Sequence, residues 1–93
     1  MSNLVHPFYK VKLIYQVSNY ISEKRTQLLG DLVSYTNDPI RSTRRLRMII
    51  NLSEYETAVL KKIRDFETVD KNDFSDSYNK IIEEVESITN IGA

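Results

Sequence analysis

The sequence predicts a mainly α domain: an N-terminal helical region over residues 1–38, then a short strand and two helices over residues 44–88. Three observations carry this expectation. The chain has only two glycines, Gly30 and Gly92, and two prolines, Pro7 and Pro39. Few positions can therefore adopt the positive φ that tight hairpin turns need. Apolar residues recur at helical spacing over most of the length. Between Arg44 and Leu52 that spacing gives way to alternation. An all-α bundle of three or four helices is the alternative, and the two readings part at residues 44–52.

The first 38 residues favour helix. Residues 1–6 read as a loose start, and Pro7 suits a first helical position, where its missing N–H costs nothing. Ile14, Val17, Ile21, Leu28, Leu32 and Tyr35 then follow at intervals that fit one helix face. Lys24 and Arg25 interrupt the stripe, and Gly30 costs about 1 kcal/mol against Ala in a helix interior. The segment reads as one long helix, or as two with a break between Ser22 and Gly30. Asn37, Asp38 and Pro39 mark a turn, and Asp38-Pro39 also has the form of an N-cap and first helical residue.

Residues 44–52 are ambiguous. Leu46, Met48, Ile50 and Leu52 alternate as in a half-buried strand, while Leu46, Ile49 and Ile50 also fit a helix face. Ser53-Glu54-Tyr55-Glu56 has the pattern of a capping box, which predicts a helix beginning at Glu54 and requires non-helical backbone at Ser53. That requirement tips residues 44–52 towards strand. The helix carries Val59, Leu60, Ile63 and Phe66 and stops near Thr68. After a polar connection from Val69 to Asn72, Asp73 or Ser75 caps a last helix bearing Phe74, Tyr78, Ile81, Ile82 and Val85. Thr89 to Ala93 is expected to fray.

With 93 residues the chain makes one domain, 41% hydrophobic and 28% charged, as a folded globular chain requires. The formal net charge is zero, but residues 1–47 carry +5 and residues 48–93 carry −5. The basic half can meet a polyanion, or the acidic half of the same or another copy. The chain has no cysteine, which excludes disulfides and suits a reducing compartment. It has no apolar run of membrane-spanning length and no signal-like start, so the expected location is the cytoplasm, away from membranes.

Arg45 to Ser53, the helix from Glu54 to Phe66, and the Ser-rich start Phe74-Ser-Asp-Ser-Tyr-Asn-Lys-Ile-Ile82 resemble the ribbon-helix-helix family of DNA-binding proteins, the family of the Arc and methionine repressors. The resemblance covers about half of the chain. It implies a homodimeric repressor whose two strands pair antiparallel across a two-fold axis and enter the major groove. Leu46, Met48, Ile50 and Leu52 would pack inward. Arg45, Arg47, Ile49 and Asn51 would face the bases, with arginine suited to guanine and asparagine to adenine. Arg41 and Arg44 would contact phosphates before the strand, and Ser75 and Ser77 would lie where the last helix offers free N–H groups to a phosphate. Ile49 departs from the polar residue the family usually places on that face. The N-terminal helical region lies outside the family core and reads as an oligomerisation or partner-binding arm.

Catalytic and cofactor signatures are missing. His6 is the only histidine, no glycine-rich phosphate loop is present, and no cofactor is expected. Asp70, Asn72, Asp73 and Asp76 lack the turn glycine and closing glutamate of a calcium loop, so no metal site is expected there. Glu83, Glu84 and Glu86 read as a solvated helix face. The expectation is a binding protein and not an enzyme. It is a DNA-binding regulator if residues 44–52 form a strand. If they form a helix, it is a protein-binding adaptor, inhibitor or assembly factor, as small viral and mobile-element proteins often are.

Overall fold

A computed structural model describes residues 7–90, so the expectations placed on residues 1–6, on His6 and on residues 91–93 lie outside it. Three helices follow in order: α1, Phe8–Ser34; α2, Pro39–Asp65; and α3, Lys71–Ile88. No strand occurs among the described residues. The expected strand at residues 44–52 is helix throughout, and the all-α alternative describes the fold.

The first helix runs without a break. Lys24 and Arg25 do not interrupt it because both find carboxylates on other helices. Lys24 Nζ lies 3.1 Å from Glu86 on α3, and the Arg25 guanidinium donates to Glu56 on α2. Gly30 is exposed, with nothing within 4 Å of the place a Cβ would take, so it weakens propensity without disturbing packing. Leu13, Val17, Ile21 and Leu28 are buried, and Ile14 packs against them from the edge.

The turn before α2 is where the sequence puts it. Asp38 is the N-cap and accepts from the Arg41 N–H at 3.1 Å, with Pro39 opening the helix. The Ser42 hydroxyl donates back to the Tyr35 carbonyl. The second expected start, at Glu54, is overturned, because Ser53 lies mid-helix and caps nothing. Glu56 is occupied by Arg25 and does not reach back to the Ser53 N–H. Arg45, Leu52, Val59 and Ile63 are buried on α2, with Met48, Ile49, Tyr55 and Leu60 beside them. This is a helical stripe, and past Pro39 no proline or glycine opposes it. The helix ends at Asp65, before the expected Thr68.

The last helix also starts earlier than expected. Its cap is Asp70, which accepts from the Asp73 N–H at 2.8 Å, while the Asp73 carboxylate accepts from the Asp70 N–H at 3.1 Å. Asp73 is therefore the reciprocal partner in the capping box. Thr89 closes the helix, its N–H donating to the Val85 carbonyl.

The pairing of side chains sets the topology. Lys10 donates to the Phe66 carbonyl at 2.8 Å, and Asp31 faces Arg45, so α1 and α2 run antiparallel. Phe74 meets Tyr9, and Glu86 meets Tyr20, so α3 runs parallel to α1. The two long helices have 27 residues each and α3 has 18. At about 1.5 Å per residue, α3 is roughly 13 Å shorter than the hairpin it packs on. It starts level with the beginning of α1 and ends near Lys24. One end of the molecule is thus a three-helix bundle. The other end, around the Tyr35–Asp38 turn, is a bare two-helix hairpin.

Candidate functional site

The bare hairpin holds the features that folding alone does not explain. Leu46 and Ile50 on α2 are about half exposed, at 49% and 51%, and Val33 on α1 is 72% exposed. Leu29 stands one turn before Val33 and is similarly uncovered. Thr43, Leu46, Arg47, Ile50 and Asn51 line one shallow groove along the outer side of α2. Tyr20 and Lys24 on α1 and Tyr55, Val59 and Phe66 on α2 mark the side towards α3. At about 100° per residue, Leu29, Val33, Leu46 and Ile50 fall on the opposite side of the hairpin. Val11 and Tyr15 continue that face towards the bundle end.

The arginines expected to form one DNA-reading row are dispersed. Arg45 is buried, 6% exposed, with its guanidinium 4.8 Å from the centre of the Tyr35 ring and its Nε 4.0 Å from Asp31. It belongs to the packing between α1 and α2. Arg41 also lies over Tyr35 and is 3.5 Å from Asp38. Ile49 is half-buried against the core and does not face out with the arginines. Arg44, Arg47 and Asn51 do share the exposed side of α2, and neither Arg44 nor Arg47 has an ion-pair partner among the described residues. Ser75 and Ser77 lie on α3, beyond its first turn, on the bundle half of the molecule. Their N–H groups are inside the helix ladder, and the carboxylates of Asp70 and Asp73 hold its N-terminus, so no anion site forms there.

At the bundle end the polar contacts are mutual and close. The Tyr20 hydroxyl donates to Glu86, which also faces Lys24. The Tyr55 hydroxyl donates to Glu84 across a cleft between α2 and α3 floored by Val59, Ile63 and Ile81. Burial, with help from these carboxylates, raises both phenols well above the ordinary tyrosine range. The hydrogen bonds from Tyr20 and Lys24 lower the Glu86 carboxyl. These are interhelical ties, joining α1 to α3 and α2 to α3.

Among the described residues no group of three or more His, Cys, Asp or Glu is placed to hold a metal ion. No described helix is long and apolar enough to cross a membrane. The face formed by Leu29, Val33, Leu46 and Ile50 was missed in the sequence. Its signal was present as apolar residues lying outside the best helical stripe. No family model matches the chain, and neither curated proteins nor solved structures include one that matches it.

Proposed function

We propose that this protein is a small helical interaction module, of the adaptor, inhibitor or assembly-factor kind, which docks a helical partner on the exposed face of its hairpin. The observation that carries the reading is the groove around Leu46 and Ile50 on a hairpin that outruns its third helix. Solvent-exposed apolar residues scattered singly are ordinary, whereas Leu46 and Ile50 stand one turn apart in one groove edged by Thr43, Arg47 and Asn51. A helix lying in such a groove would cover the side of the hairpin on which α3 does not pack. The DNA-binding expectation drew its geometry from a β-ribbon at residues 44–52, which are helix. What supports it now is the pair of exposed arginines on the outer side of α2, Arg44 and Arg47, which have no ion-pair partner among the described residues, few for a protein that neutralises a phosphate backbone.

The test is positional. A photo-reactive amino acid replaces Leu46 or Ile50, and Asn79 on the exposed side of α3 serves as the control. Irradiation in cells should give protein adducts from the two hairpin positions and not from Asn79. Nucleic-acid adducts at the hairpin, or equal labelling from Asn79, would refute the proposal.

A further inference from the structure

The partner on this face, we infer, is a second copy of the same chain, seated antiparallel across a two-fold axis at Ile50. The inference rests on the interaction reading above and names its occupant. A two-fold contact joins one patch to itself, so each residue must suit the residue the axis brings to it. Ile50 meets Ile50 at the axis. Leu46, with Leu29 and Val33 from α1, supplies apolar surface on one side of that point. The charges lie on the other side. Arg47 and Glu54 are seven residues apart, two helical turns, and so stand on the same side of α2. They are three residues before and four after Ile50. The axis therefore brings Arg47 of one copy level with Glu54 of the other, to within about 1.5 Å along the helix. Both side chains are exposed, and neither has an ion-pair partner within its own copy among the described residues.

The opposite arrangement fails on charge. Copies packed in parallel would set the Arg41, Arg44 and Arg47 end of one hairpin beside the same end of the other. The antiparallel arrangement separates the two arginine-rich ends and makes two symmetric Arg47–Glu54 pairs around an apolar centre. Charged pairs of this kind at the edge of an apolar helix seam set orientation more than affinity.

The chain has no cysteine, so single-cysteine variants report the axis directly. Ile50→Cys should form an intermolecular disulfide on mild oxidation, because a residue on a two-fold axis faces itself. Ile40→Cys, 75% exposed but off the seam, should not. In sedimentation equilibrium the parent should dimerise in the micromolar range. Arg47→Glu or Glu54→Arg alone should weaken the dimer by about tenfold or more, and the combined variant should recover most of it, since the pair is reversed and not removed. Circular dichroism checks that each variant keeps its helices. A parent that stays monomeric at about 100 µM, far above the dissociation constants of specific complexes, overturns the inference. So does an Ile50→Cys disulfide no faster than that of Ile40→Cys, or a double variant no better than the singles. If the parent is monomeric but Ile50 still photo-crosslinks to another protein, self-association is refuted and the interaction reading stands. If the hairpin gives no protein adduct at all, both fall.

Discussion

At the scale of single residues, Arg45 shows how charge and packing trade places in this hairpin. Its Nε is buried without a hydrogen bond, and its nearest carboxylate oxygen, on Asp31, is 4.0 Å away. The Tyr35 ring supplies part of what water no longer does. Burying a guanidinium costs several kcal/mol before any contact is made, and an apolar side chain of similar length avoids that cost. Arg45→Met is therefore expected to be neutral or to stabilise the fold by about 1 kcal/mol, which in a domain of this size moves Tm by roughly 4–8 °C. Tyr35→Ala should act in the opposite direction by uncovering the cation. Thermal unfolding followed by circular dichroism reads both, and a large loss of Tm in Arg45→Met would contradict this account. The Tyr20–Glu86 contact acts at both ends of the pH scale. A phenol raised above its ordinary value near 10.0 contributes stability that is complete below that value and lost as pH rises towards the folded one. The lowered Glu86 carboxyl contributes above its unfolded pKa, near 4.3, and that contribution is lost as pH falls through the lower folded value. Tyr20→Phe should thus flatten the pH dependence of denaturant midpoints on both the alkaline and the acid side. An unchanged alkaline slope would show that the hydroxyl is not tied to Glu86 in solution.

At the scale of elements, the capping box that forms at Asp70 and the one expected at Ser53 that does not are separated by a pair of variants. Asp70→Ala removes half of a formed capping box and should cost about 1 kcal/mol. Ser53→Ala touches no cap and should cost less than about 0.5 kcal/mol, if anything favouring the helix. Equal losses in urea unfolding would contradict the continuous α2. The first and last helices, the turn at Asp38-Pro39 and most of the core were legible in the sequence because each follows from spacing and local chemistry, whereas the continuous α2 was not. Ser53 and Glu56 misled because their pattern is local while the competing partner is not. Arg25, 31 positions away from Glu56, takes the carboxylate that the box would need. The alternation of Leu46, Met48, Ile50 and Leu52 misled for a more informative reason. Leu52 and Met48 belong to the buried stripe, and Leu46 and Ile50 belong to the exposed face. Two apolar faces on one helix interleave into a period of two. The strand signal was the exposed apolar face superimposed on the core.

At the scale of the whole molecule, the unequal helix lengths predict unequal stability along the hairpin. Leu13, Val17, Val59, Ile63, Ile81 and Val85 lie where three helices meet, whereas Leu28 and Arg45 lie where only two do. Amide protection follows local burial, and a two-helix end has half-exposed apolar side chains in place of a third layer. Amides of residues 27–34 and 41–49 should therefore exchange faster than those of residues 12–21, 56–63 and 80–86 in dilute solution, as read by hydrogen exchange with mass spectrometry. The gradient should shrink as protein concentration rises, because a species that binds only the folded hairpin stabilises it by mass action. Protection in the bundle end should change much less over the same range. Uniform exchange along α1 and α2 would show that α3 is not what distinguishes the two ends. A hairpin that stays fast at every concentration would show that the second copy contributes nothing to it. A concentration-dependent rise confined to the hairpin would link all three scales: Ile50 at the axis, α2 as a helix with two apolar faces, and a monomer whose hairpin presents to a second copy the side that α3 does not cover.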